Sequence, residues 1–135
     1  MEFNSQICTT KEQSERLLAL GLKKETADMR YQILYLDLGG VLKECTPSLE
    51  PYPPLNNDRF IPAWSLHRLI EMIPSKILME DYYLILGISF DCVYYADNEY
   101  AEVFQSFDGT TYSCIIKCIE WLIKEGYFNK EYLKE

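Results

Sequence analysis

Apolar residues recur at helical spacing near the end of the chain, where Ile115, Ile116, Cys118, Ile119, Leu122 and Ile123 share one wide face and Lys117, Glu120 and Lys124 fall outside it. This pattern predicts a helix over about 112–125, closed by Gly126 and capped from the stretch Asp108-Gly109-Thr110-Thr111. Residues 82–107 instead alternate, rich in Tyr, Ile, Val and Phe, with turn formers near Ser89 and Asp91 and at Asp97-Asn98. They read as an antiparallel three-stranded meander. Two shorter helices are expected. One follows Thr9-Thr10, which stand three residues before Glu12 and Gln13 in the capping-box pattern, and ends at Gly21. The other places Leu66, Leu69, Ile70 and Ile73 at helical spacing and stops at Pro74. Lys23 to Met29 can add a helical turn, and Tyr31 to Leu36 has the β-branched and aromatic character of a strand that Gly39-Gly40 ends or bulges. Between Cys45 and Pro62 stand Pro47, Pro51, Pro53, Pro54 and Pro62, so this stretch is expected to be an irregular loop that neither a helix nor a central strand crosses. The sum is a single α+β domain over 1–135. Its small antiparallel sheet of three to four strands, with the meander at about 82–107, is covered mainly on one face by short helices, above all by the helix at 112–125.

Composition agrees with a globular chain. At 135 residues, 48% hydrophobic and 25% charged, it is long enough for one domain with a real core. A net charge of −8 argues against a protein that coats nucleic acid or an anionic membrane surface. No stretch approaches the roughly 18 apolar residues needed to span a bilayer, and residues 1–16 hold no apolar run that would serve as a secretory signal. A cytoplasmic location is therefore expected. The five cysteines, Cys8, Cys45, Cys92, Cys114 and Cys118, form neither an even set nor a paired spacing, which reads as reduced, mostly buried thiols.

Charge changes the picture most through its distribution. Residues 1–76 hold 9 basic and 10 acidic residues and residues 117–135 hold 4 of each, but residues 77–116 hold no base and 7 acids. These are Glu80, Asp81, Asp91, Asp97, Glu99, Glu102 and Asp108, interleaved with Tyr82, Tyr83, Tyr94, Tyr95, Tyr100 and Tyr112. Three readings fit. The carboxylates can solvate the open face of a half-covered sheet while the aromatics alternate inward. They can form a binding face for a basic partner, with Asp91, Asp97, Glu99 and Glu102 steering and Tyr95 or Tyr100 supplying contact area. They can also mimic a nucleic acid, although 7 acids in 40 residues is thin for phosphate spacing.

Catalytic patterns are weaker. Tyr35-Leu36-Asp37-Leu38-Gly39-Gly40-Val41-Leu42 looks like the first motif of the haloacid dehalogenase family, where an aspartate after a hydrophobic strand is the nucleophile. Position 39, where the phosphatases of that family have a second aspartate, is Gly, no Lys or Arg occurs between 76 and 117, and the following sequence is a meander and not βαβ repeats. Cys114 and Cys118 stand one helical turn apart, but zinc needs three or four ligands and the one histidine, His67, is on another helix. Buried cysteines and a surface or boundary histidine are the simpler readings. No catalytic residue, metal site or cofactor is expected.

Three groups of residues carry a resemblance. They are Cys8 to Leu22 with Thr26-Ala27-Asp28-Met29, Ile61-Pro62-Ala63-Trp64-Ser65-Leu66, and Ile119-Glu120-Trp121-Leu122-Ile123 with Gly126-Tyr127. Together they resemble a group of small uncharacterised proteins of gut anaerobic bacteria, often encoded on prophages or other mobile elements. The resemblance implies an accessory protein of such an element, and it implies no activity, cofactor or site residue. The expected function is thus a non-enzymatic interaction with another protein that presents a basic surface, with no nucleic acid and no membrane as partner. The alternative is a small hydrolase or metal-dependent enzyme using Asp37.

Overall fold

The computed structural model describes residues 6–36, 41–44, 48–49, 60–99, 101–107 and 109–135. The chain forms two compact units, one of Met1–Arg68 with Tyr132–Glu135 and the other of Leu69–Glu131.

The first unit opens with helix α1 (Lys11–Ala19). Thr10 is its N-cap: the Thr10 hydroxyl accepts from the Gln13 N–H, and the Gln13 side chain accepts from the Thr10 N–H, the reciprocal arrangement that the Thr-Thr-Lys-Glu-Gln pattern predicts. Gly21 then takes φ +103°, a conformation open to glycine at little cost. A 3-10 turn at Lys24–Thr26 leads into strand β1 (Met29–Leu36), which pairs antiparallel with β2 (Val41–Glu44), β3 (Ser48–Leu49) and β4 (Phe60–Ala63). Two strand segments thus fall within the span expected to be an irregular loop. Pro62 pairs with Arg30 inside β4, which is possible because β4 has β1 as its only strand partner among the described residues, so its missing N–H can face away from the ladder. The Arg30 guanidinium lies 4.0 Å above the Phe60 ring, a cation–π contact across these two strands. The end of the chain returns to this unit. Lys23 N–H donates to Tyr132 O and Lys134 N–H to Gly21 O, so Leu133 bridges to Leu22.

Helix α2 (Leu66–Met72) begins in the first unit and ends in the second. The second unit is the expected meander with one strand added: β5 (Lys76–Leu78), β6 (Tyr83–Ser89), β7 (Cys92–Ala96) and β8 (Glu102–Ser106) form an antiparallel sheet in that order. Only three residues long, β5 was too short to show an alternation. Helix α3 (Thr111–Glu125) covers one face of this sheet. It is capped by the Thr110 hydroxyl at its start and ends on Gly126 with φ +81°. Its buried side is Tyr112, Cys114, Ile115, Ile116, Cys118, Ile119 and Leu122, nearly the stripe the sequence marks. The fold is α+β, as the pattern predicts.

Register decides which sheet residues meet α3. Cross-strand partners share a face, and the pairs Ile77 with Leu84, Leu86 with Tyr95, Val93 with Ser106 and Tyr95 with Phe104 are the helix-facing set. The Trp121 ring completes the layer, with centroids 5.7 Å from Tyr95, 5.1 Å from Phe104 and 5.7 Å from Tyr127. Aromatic pairs at such separations add about 0.5–1.5 kcal/mol beyond their area burial.

Candidate functional site

Tyr95 and Asp97 of the proposed acidic, tyrosine-rich face turn out to be structural. Tyr95 is fully buried and its hydroxyl donates to Pro74 O at 2.6 Å, so it supplies core and not contact area. The strict alternation of β7 put it on the helix side. The Asp97 carboxylate accepts from the N–H groups of Glu99 and Ala101 at 2.9 and 2.8 Å and so builds the connection from β7 to β8. Asp91 is exposed in the two-residue turn between β6 and β7, Glu99 is exposed in the β7–β8 connection, and Glu102 is exposed at the start of β8. Tyr100 and Asp108 lie outside the described residues.

The carboxylates therefore do not cover the open face. Glu80 and Asp81 sit in the β5–β6 connection, Asp91, Asp97 and Glu99 in turns, and only Glu102 is on a strand. By register, the face turned away from α3 carries Lys76, Leu78, Tyr83, Ile85, Tyr94, Ala96, Glu102 and Gln105, and Val103 stands between Glu102 and the helix-facing Phe104. Several are open to solvent: Leu78 is 78% exposed, Ile85 48% and Val103 51%, and Phe107, directly after β8, is 65% exposed. A β-bulge where Ala96 meets Glu102 lets Val103 stand beside Glu102 at the edge. The Tyr94 ring lies flat across Gly87, its cross-strand partner; a Cβ at Gly87 would fall 2.0 Å from Tyr94 Cζ, so only glycine lets the ring lie down there. Lys76 Nζ stands 4.0 Å above the Tyr83 ring. The sheet thus exposes an apolar and aromatic surface with acids at its ends. Alternation alone could not reveal this, because both faces of the meander are apolar.

Three thiols, of Cys8, Cys92 and Cys118, hold their protons more tightly than a free cysteine. Burial pushes Cys118 up to about 12 and also raises Cys8 and Cys92, the latter helped by neighbouring Cys114. A neutral, buried thiol is a poor nucleophile and metal ligand. Cys8, Cys92, Cys114 and Cys118 are buried and form no disulfide among the described residues, and Cys45 lies outside the described residues. Among the described residues no group of three or more His, Cys, Asp or Glu is placed to hold a metal ion. His67 is exposed, as expected. Asp37 lies outside the described residues, and the strand before it pairs antiparallel with each of its partners among the described residues, whereas the nucleophile motif belongs to a parallel strand.

Burial of these protons has a consequence in alkali. The folded-state pKa of Cys118 lies above the ordinary thiol value of 9.0, and that of Tyr95 above the ordinary phenol value of 10.0, both through burial. Above those ordinary values the unfolded chain has lost protons that the folded chain keeps, so stability is full below about pH 9 and falls as pH rises towards about 12. Each group contributes up to about 1.4 kcal/mol per pH unit. Urea unfolding at pH 8 and pH 10.5 should show this fall, and it should be smaller for Cys118→Ala relative to its own value at pH 8. An unchanged pH slope in that variant would place Cys118 in water.

A second arrangement, in the first unit, was not foreseen. Thr9 N–H donates to Trp64 O at 2.9 Å and the Trp64 N–H donates to the Thr9 hydroxyl at 3.1 Å, while that hydroxyl also meets the Ser14 hydroxyl at 2.7 Å. The Trp64 indole N–H donates to the Thr26 hydroxyl at 2.9 Å, which donates to Lys23 O. Asp28 accepts from the Ser65 N–H and hydroxyl, and the Ser65 hydroxyl accepts from the Arg68 N–H at the start of α2. Arg68 Nε donates to Thr26 O at 2.7 Å. Apart from Lys23 and Arg68, these residues belong to the first two segments that carry the sequence resemblance. Thr9, Ser14, Thr26 and Trp64 are all buried, and every polar group named here is satisfied within the unit, as a structural network requires and an active site does not.

No helix among the described residues is long and apolar enough to cross a membrane. No protein-family model, curated protein or solved structure matches the chain.

Proposed function

We propose that this chain is a non-enzymatic interaction protein, an accessory protein of a phage or other mobile element, that acts in the cytoplasm and binds another protein with a basic surface through the meander of its second unit. The observation that carries this reading is the outer face of the β5–β8 sheet, where Leu78, Ile85 and Val103 are open to solvent beside exposed carboxylates. Contiguous exposed apolar surface rimmed by charge is where soluble proteins meet partners. The free cysteines suit a reducing compartment. The mobile-element origin rests on the sequence resemblance alone. The hydrolase alternative gains no support from the antiparallel pairing of β1.

Affinity purification from cells of the source organism tests the reading, with wild type beside a variant carrying Glu80→Lys, Glu99→Lys and Glu102→Lys. Asp97 is left intact because it builds its turn. Partners retained by wild type at low salt should be lost by the variant, and wild type should lose them as salt shortens the Debye length below about 8 Å. Identical partners at identical salt would overturn the reading.

A further inference from the structure

We infer that the outer face of the β5–β8 sheet takes an amphipathic helix of the partner protein, about fifteen residues long, with its apolar stripe on Leu78, Ile85 and Val103 and Lys or Arg side chains at one end. This deepens the proposed function and rests on it. The registers Leu78 with Tyr83 and Ile85 with Ala96 bring the β5–β6 and β7–β8 connections to the same end of the sheet. That end holds Glu80, Asp81, Asp97, Glu99 and Glu102. With neighbouring strands about 4.8 Å apart, the two connections are separated by roughly 10 Å, near one Debye length at physiological salt, so their charges act together on an approaching group. An open concavity of about 540 Å³, lined by Leu78, Met79, Glu80, Asp81 and Tyr82, gives a long cationic side chain room there.

The opposite end has a different chemistry. Phe90, 85% exposed in the β6–β7 turn, and Phe107 both stand there, since Val93 pairs with Ser106, and among the described residues they have Asp91 as the one acid beside them against five acids at the other end. A partner complementary to this surface is cationic at one end and apolar along its length. Its shape follows from the sheet. The seven residues of β6 extend for about 23 Å and four strands are about 15 Å wide. A helix about 10 Å across and fifteen residues long has those dimensions. On the inner face of the same sheet a helix of that length, α3, already lies against β7 and β8. The outer face is its uncovered counterpart, and its charge selects a basic helix.

The test uses the full chain and three labelled fifteen-residue peptides in fluorescence anisotropy titrations. The first is a leucine–lysine amphipathic helix with its lysines concentrated in one terminal turn. The second replaces lysine by glutamate, and the third keeps the lysines and replaces leucine by serine. The first should bind at least tenfold more tightly than the others. It should weaken at least tenfold against Ile85→Ser with Val103→Ser, and likewise against Glu80→Lys with Glu99→Lys and Glu102→Lys, each variant first shown folded by circular dichroism. Equal binding by the lysine–serine peptide, or unchanged binding to the apolar variant, would sink the helix inference while leaving a basic partner intact. Indifference to both variants would sink the inference and the proposed function together. Sedimentation showing a dimer that Ile85→Ser with Val103→Ser dissociates would assign the face to a second copy of this chain and overturn the inference.

Discussion

Replacing Trp64 with Ala is expected to cost about 3–5 kcal/mol of stability, the range for removing a large aromatic from a packed interior. Trp64 has no exposed surface, and its indole N–H is held by the Thr26 hydroxyl. Its backbone is locked to Thr9 by a reciprocal pair of hydrogen bonds, so the surrounding segments have little freedom to collapse into the space left behind. Against a total of about 5–15 kcal/mol, such a loss brings the first unit close to unfolding at ambient temperature. Thr26→Val separates the two contributions: it keeps the packing but strands the indole N–H, at a cost of about 1–3 kcal/mol. Urea unfolding followed by tryptophan fluorescence for Thr26→Val, and by far-ultraviolet circular dichroism for Trp64→Ala, measures both. A loss below about 1 kcal/mol for Trp64→Ala would remove this residue from the core.

Leu122→Ala and Ile119→Ala are each expected to cost about 2–5 kcal/mol, since both side chains are wholly buried on the side of α3 that meets the sheet. Ile85→Ala makes the contrast. It removes an aliphatic side chain from the opposite face of the same sheet, where it is about half exposed, and should change stability by no more than about 0.5 kcal/mol. The difference between the two sets measures directly which face is covered. If Ile85→Ala costs as much as Leu122→Ala, the outer face is packed within the free protein, and no partner is needed to explain it.

What the sequence determined by itself is local. The capping box at Thr10, the left-handed glycines at 21 and 126, the stripe of α3 and the alternation of the meander all depend on spacings of one to four residues, so the residues that build them stand side by side in the chain. The buried state of Ile119 and Leu122 follows from the same periodicity. Between Cys45 and Pro62 the proline count argued for a loop, yet pairing with β1 draws Phe60–Ala63 into a sheet edge, because an edge strand does not need the N–H that Pro62 lacks.

Tertiary structure alone decided the chemistry of the surface. Seven acids among six tyrosines suggested a mixed acidic and aromatic face, but register buried Tyr95 against α3, turned Asp97 into a turn support and gathered five carboxylates at one end of the sheet. The same register left Leu78 and Ile85 on the uncovered side, and the bulge beside Glu102 left Val103 half exposed. The hydrogen bonds of Trp64 with Thr9 and Thr26 span 55 and 38 residues, beyond any local pattern. Both outcomes have one cause: alternation says that neighbouring side chains point to opposite faces, but only long-range pairing and the position of the covering helix decide which face meets water.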